Sequence, residues 1–243
     1  MTHVRNAESF SRLVDSCTGY GGIFNPGRPT LRIEALIAQR QKVNSSIANT
    51  ISAKSLYDNQ VNQRKQAFDQ LPKLVSSIMR TLEASGASPE KLNDARAFAH
   101  KITGFKSSRA PITAATDSTQ TTDIPKGKLR STLQLAYVSK ADAFAKLVNA
   151  VATEPLYMSN EATLRVSGIN DKLNELTTLN QQVSEGHVKW SNIRIERNET
   201  MYGQSMSMYK TGRAVKKYVR AIFGLKSEQY EQIKNLSFNK PKN

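Results

Sequence analysis

The chain is short of the residues on which most catalytic and metal chemistry is built. It has a single cysteine, Cys17, so no intrachain disulfide framework exists and the composition suits a reducing compartment. Its three histidines, His3, His100 and His187, lie far apart and show no ligand spacing. The second half carries no Glu-x-x-His pair on its apolar seam, so neither a zinc nor a di-iron site is expected. The glycine-rich stretch from Thr18 to Gly27 lacks the Gly-Lys-Ser/Thr ending of a phosphate loop. Acid, base and nucleophile residues form no cluster, and the expectation is a protein without enzymatic activity and without a cofactor. No stretch approaches the ~20 apolar residues of a membrane span. The opening residues, Met1 to Glu8, hold no apolar signal-peptide core. A cytoplasmic location with no membrane span is therefore expected.

Acidic residues are scarce too. Asp and Glu number 20 against 35 Lys and Arg, a formal net charge of +15. From Thr200 to Asn243 nine residues are basic and two, Glu228 and Glu231, are acidic. A surplus of this kind attracts polyanions: nucleic acid, anionic lipid or an acidic protein surface.

What the chain does have is repetition. Phe10, Leu13 and Val14 recur as Phe144, Leu147 and Val148; Thr30, Leu31, Arg32 and Ile33 recur as Thr163, Leu164, Arg165 and Val166. Asn59 and Arg64 recur as Asn192 and Arg197. After a seven-residue shift, Val75, Arg80 and Leu82 recur as Val215, Arg220 and Ile222. Seven residues make about two helical turns, so the shift keeps the helix face. Two equivalent helical halves are expected: a first repeat over 1–104, a linker over 105–130 rich in Ser, Thr, Pro and Ala, and a second repeat over 131–243 with a basic C-terminal segment.

Within the halves the apolar spacing is helical. A short amphipathic segment covers about Ala7 to Ser16. A long pattern from Thr30 places Ile33, Leu36, Val43, Ile47, Tyr57, Val61, Phe68 and Leu71 on one seam, and Pro72 ends that helix or opens the next. A third helix runs to about Ala84. Ser88-Pro89-Glu90 reads as the cap and first turn of a fourth, ending near Gly104. In the second half a helix covers about Ser131 to Thr153, and a very long one starts after a Ser159/Asn160 cap. Its seam of Val166, Ile169, Leu173, Leu176, Asn180, Val183, His187, Trp190, Arg194, Arg197 and Met201 alternates three and four, as in a coiled coil. Some 40 residues at ~1.5 Å each span roughly 60 Å. The expected architecture is all-α, an elongated pseudo-twofold bundle with long coiled-coil-like helices. Leu173, Leu176 and Val183 are expected in its core.

A last long helix, about Gln204 to Phe223, stops at Gly224, and Ser227 caps a short one after it. Met208, Val215, Val219 and Ile222 gather on one side of the long one. Lys210, Arg213, Lys217 and Arg220 gather on the other within an arc of about 80°, with Lys216 beside them. These five are the candidate contact for a polyanion or another subunit; the plainer reading is a solvated bundle face. Arg64 and Arg197 fall at equivalent seam positions; they are read as polar register devices or as arginines snorkelling out at a frayed end, in preference to an anion site on a pseudo-twofold, and Asn180 and His187 are read the same way. Ser207-x-x-Lys210 and Lys210-Thr-Gly212 resemble two motifs of penicillin-recognising serine enzymes, but one lysine would serve both, so the match is chance. Asn44, Asn198 and Asn235 are glycosylation sequons by formula only.

The stretches Glu154-Pro-Leu-Tyr-Met-Ser-Asn-Glu-Ala-Thr-Leu164 and Ala214-Val-Lys-Lys-Tyr-Val-Arg-Ala-Ile-Phe-Gly-Leu-Lys-Ser227 resemble segments of uncharacterised duplicated helical proteins of Bacteroidota-type bacteria. The resemblance implies a bacterial or bacterial-virus origin and carries over no activity, cofactor or site residue. The reading that emerges is a non-enzymatic structural scaffold that self-associates into an oligomer, filament or layer. The alternative is a nucleic-acid-associated protein using its basic C-terminal segment.

Overall fold

Every apolar seam of three-four spacing becomes a helix. The computed structural model describes residues 2–104 and 126–241, with side chains from 136 onward in the second stretch. Among the described residues there are eight α-helices and no strand: α1 Thr2–Gly19, α2 Ile33–Asp69, α3 Leu71–Ala84, α4 Pro89–Thr103, α5 Lys126–Ala152, α6 Val166–Tyr202, α7 Met208–Phe223 and α8 Glu228–Lys234. Two short 3-10 turns, Gly21–Ile23 and Pro29–Leu31, link α1 to α2. None of these helices is long and apolar enough to cross a membrane.

The local signals act where the residues place them. Pro72 sits in the first turn of α3, where its missing N–H costs nothing. The Ser88 hydroxyl accepts from Lys91 N to cap α4, and Gly104 closes that helix at φ +74°. Ser227 caps α8 through Tyr230 N at 3.1 Å. Other boundaries moved. The expected linker over 105–130 is shortened, because α5 already begins at Lys126; residues 105–125 lie outside the described residues. α6 starts at Val166 rather than just after Ser159/Asn160. Residues 161–165 instead form a turn closed by Leu164 N and Arg165 N on Glu161 O. That turn folds back on α6 at Gly168, where a Cβ would lie 2.1 Å from Ala162 O, so only glycine fits. α7 likewise starts at Met208 instead of Gln204, after a loop in which Met206 takes a left-handed φ of +25°.

The chain forms two compact units whose composition differs from the sequential halves. The first contains residues 1–58 and 186–243, the second 59–185. In the first, the buried stripe of α1 (Phe10, Leu13, Val14, Cys17) packs with Leu36 and Val43 of α2, Met201 of α6, Met208, Val215 and Val219 of α7 and Ile233 of α8. In the second, Phe144, Leu147, Val148 and Val151 of α5 pack with Phe68 of α2, Leu71, Val75 and Ile78 of α3, Ile102 of α4 and Ile169 and Leu176 of α6. Leu176 and Val183 are buried as expected, while Leu173 is only half-buried against the second core.

Candidate functional site

α7 is the most strongly two-faced helix of the first unit. Met208, Thr211, Gly212, Val215 and Val219 are buried on one side. Lys210, Arg213, Lys217 and Arg220 are exposed on the other. Ile222, expected on the apolar side, is 42% exposed near the helix end. The four ribbon cations differ in their surroundings. The Lys210 ammonium donates to the Gln204 carbonyl. The Arg213 guanidinium donates to the Tyr209 hydroxyl at 2.9 Å and lies 5.5 Å from that ring's centroid. Lys217 and Arg220 make no ion pair among the described residues, and no described ion pair involves any α7 side chain. Among the described residues this face carries four cations and no carboxylate partner.

Lys216 does a different job. Half-buried, it donates to Lys234 O, the last carbonyl of α8, and to Leu236 O just beyond that helix, each at 2.8 Å. Burial pulls its ammonium pKa down from the ordinary lysine value. Of the five candidate contact residues it is the one that is half-buried.

The tail after α8 contributes what the sequence pattern did not single out. Phe238, 9% exposed, presents its ring tip to Gly212, where a Cβ would lie 2.7 Å from Cζ. The Asn6 side chain of α1 grips Asn239 from both sides: Nδ2 donates to Asn239 O at 2.6 Å and Oδ1 accepts from Asn239 N at 3.2 Å. The Lys240 ammonium then lies 5.3 Å from the Tyr209 centroid, so two cations attend one ring. The four-residue spacing from Tyr209 to Arg213 was a visible signal for the first of these contacts. Nothing local signalled the second.

The seam polar residues separate into distinct environments. Arg64 is 5% exposed, with its guanidinium carbon 4.3 Å from the Tyr137 centroid. Arg197 is half-buried, donates to Asn198 Oδ1 at 2.8 Å, and burial followed by the nearby Arg194 pulls its pKa down. Asn180 reaches Tyr137 O at 3.5 Å. His187 is exposed, edge-on to Tyr57 at 5.7 Å, and Tyr57 stacks on Trp190 at 5.6 Å with 12° between planes. Lys54 and Arg194 each lie about one cation–π distance from Trp190, at 5.3 and 4.9 Å.

His3 belongs to a small half-buried network. Asn6 Nδ2 donates to the Tyr202 oxygen at 2.9 Å, which leaves the phenol proton to donate to His3 Nδ1 at 3.1 Å. Burial, and then the charge of Arg197, lower the His3 pKa, consistent with a neutral ring that accepts. Cys17 is fully buried, and burial pushes its thiol up to about 12, so it is no nucleophile at neutral pH. Among the described residues no three His, Cys, Asp or Glu side chains come together as a metal site. No family model, curated protein or solved structure matches the chain.

Proposed function

We propose that the protein is a non-enzymatic helical scaffold made of two equivalent halves, and that it self-associates. The observation that carries self-association is an apolar stripe left open on α6. Val188 and Ile195, seven residues apart and so on one helix face, are 54% and 64% exposed. Ile51 and Leu56 of α2 are similarly open, at 63% and 54%.

Equivalence of the halves is supported by burial at repeated positions. Phe10 and Phe144, Leu13 and Leu147, Leu36 and Ile169, Val43 and Leu176, and Val75 and Val215 are all core residues. The aromatic cluster supports it as well. Tyr57 and Trp190 are counterparts under the 133-residue offset that relates Thr30 to Thr163, and so are Lys54 and His187. The two aromatic counterparts stack on each other, Lys54 attends Trp190, and His187 attends Tyr57. Reciprocal pairing of this sort is what two duplicated helices crossing at equivalent points would produce. The kinship with duplicated helical proteins of Bacteroidota-type bacteria belongs to the same proposal.

A second reading is favoured by the α7 ribbon, whose Lys217 and Arg220 meet no carboxylate among the described residues: association with nucleic acid through its phosphates. One set of measurements separates the two. Sedimentation across protein concentration and salt is run on the parent, on Val188→Lys/Ile195→Lys, and on a variant with Lys210, Arg213, Lys217 and Arg220 all changed to Gln. Duplex DNA binding is followed in parallel. The scaffold reading expects a concentration-dependent oligomer in the parent that the α6 variant loses. A strict monomer at every salt and concentration sinks it. The nucleic-acid reading expects affinity to fall by about 0.9 logarithmic units per neutralised phosphate per decade of salt, with a smaller slope in the ribbon variant. Identical slopes in parent and variant end that reading.

A further inference from the structure

A cleft of about 400 Å³ opens in the first unit where the 3-10 turn Pro29–Leu31 meets the start of α7. Its volume lies within the range of small-ligand sites, roughly 300–1,000 Å³. Arg28 enters it from one side, Lys210 and Thr211 from the other. Among the described residues no carboxylate lines it. The acidic residue nearest along the loop, Glu199, lies against Gly203 and outside the lining. A cleft of about 860 Å³ in the second unit, between residues 162–164 and the start of α3, is lined by Asp69, Asp171 and Glu175 as well as lysines. The cleft in the first unit has no such counter-charge.

Four features of this cleft converge on an anion. It lies at the N-terminus of a 16-residue helix, where the N–H groups ahead of Thr211 have no intrahelical acceptor and the helix dipole is positive. Ser207, at the cap position, makes no side-chain cap hydrogen bond; it is 1% exposed and its hydroxyl has no partner. Thr211 lines the cleft, is 1% exposed, and its hydroxyl is also unpartnered, as is the buried hydroxyl of Thr30 in the facing turn. Buried hydroxyls are ordinarily hydrogen-bonded, so the orphan in the cleft's lining, Thr211, needs a reason; Ser207 and Thr30, each next in sequence to lining residues, are orphans too. Finally, the two cations rest on weak or neutral acceptors. Arg28 Nη2 lies 3.0 Å from the Met206 sulfur, and Lys210 sits on a loop carbonyl. The loop that carries both acceptors is pinned by Gln39 Nε2 on Met206 O at 2.7 Å and holds Met206 at a left-handed φ.

We propose that this cleft binds a phosphate monoester dianion. The phosphate would sit against the first-turn amides of α7, with Arg28 and Lys210 turning from Met206 and Gln204 to its oxygens and the Thr211 hydroxyl donating to it. Two cations, a positive helix end and several donors match a group with nearly two negative charges and three acceptor oxygens. This inference is independent of the scaffold reading, since it concerns a small ligand and uses none of the exposed apolar stripe.

The test is titration of the full chain at constant ionic strength, with chloride as the reference. The probes are inorganic phosphate, a nucleoside 5′-monophosphate and an oligonucleotide lacking a terminal phosphate. Binding is followed by calorimetry and by amide shifts of Met208 to Thr211. Inorganic phosphate and the nucleoside monophosphate are both expected to saturate one site and move those amides. Arg28→Gln should weaken binding at least tenfold. Thr211→Val, which keeps the shape and removes the orphan hydroxyl, should leave the fold intact or more stable and weaken binding several-fold. Phosphate that behaves like chloride overturns the proposal, as do folded Arg28→Gln and Thr211→Val variants that bind like the parent. An oligonucleotide diester that competes as well as the monoester overturns it too, because the site would then read a polymer backbone.

Discussion

Asn6 is the polar residue whose removal reports most directly on how the basic tail is held. It is 2% exposed and makes three hydrogen bonds: to the Tyr202 hydroxyl, to Asn239 O and from Asn239 N. Each is worth about 0.5–1.5 kcal/mol net, so Asn6→Leu, which keeps the number and branching of side-chain heavy atoms, should destabilise the protein by roughly 1.5–4.5 kcal/mol. The lower part of that range applies if the tail detaches, because Asn239 is exposed and its backbone can then turn to water. In that case the global loss is small and the local loss large. Urea unfolding measures the first, and hydrogen exchange at the Asn239 amide measures the second. Protection of that amide should fall about tenfold for every 1.4 kcal/mol of local stability lost. Asn6→Asp should be at least as damaging, since it sets a carboxylate oxygen against two groups that now accept from Nδ2. If Asn6→Leu moves the urea midpoint by less than about 0.5 kcal/mol and leaves Asn239 exchange unchanged, the clamp contributes nothing and the reasoning fails.

Two other perturbations probe the units separately. Leu176 is fully buried in the second core, so Leu176→Ala should cost about 2–5 kcal/mol by chemical denaturation, and a loss under 1 kcal/mol would mean the site is not packed. His3 has a folded pKa below its ordinary value of 6.5, first through burial and then through Arg197. Its neutral ring costs nothing above the unfolded pKa. As pH falls below that value the unfolded chain takes the proton first, and stability is lost down through the folded pKa. The melting temperature of the parent should therefore drop more steeply from about pH 7 to pH 5 than that of His3→Gln, and equal slopes would refute the assignment.

Much of the helix content was legible because its signals are local. Pro72 at the start of α3, Ser88 and Ser227 as caps, and Gly104 and Gly224 as stops work through a few backbone groups within one turn. The seams were legible for a similar reason, since burial on a helix repeats every three or four residues. Helix starts fared worse. The Ser159/Asn160 cap was overridden by a turn that needs Gly168 for its close approach, and in sequence that glycine reads only as a weak spot in a helix. The candidate contact was legible as a charged arc, but the arc does not say which lysine is spoken for. Lys216 differs from Lys217 by one position, and only the fold sets its ammonium on the carbonyls of Lys234 and Leu236.

The sequence alone determined that this is an all-helical chain with its positive charge gathered toward the C-terminal segment, because periodicity and composition need no partner to be read. Tertiary structure decided everything that depends on distant residues meeting. It joined residues 1–58 with 186–243 and left 59–185 as a second body, so that the first helix shares its core with α7 from the far end of the chain. It brought Asn6 to Asn239, and Arg28 to the start of α7. Such contacts follow from which apolar faces cover one another once the chain collapses. That is a many-body outcome of packing, and no window of sequence contains it.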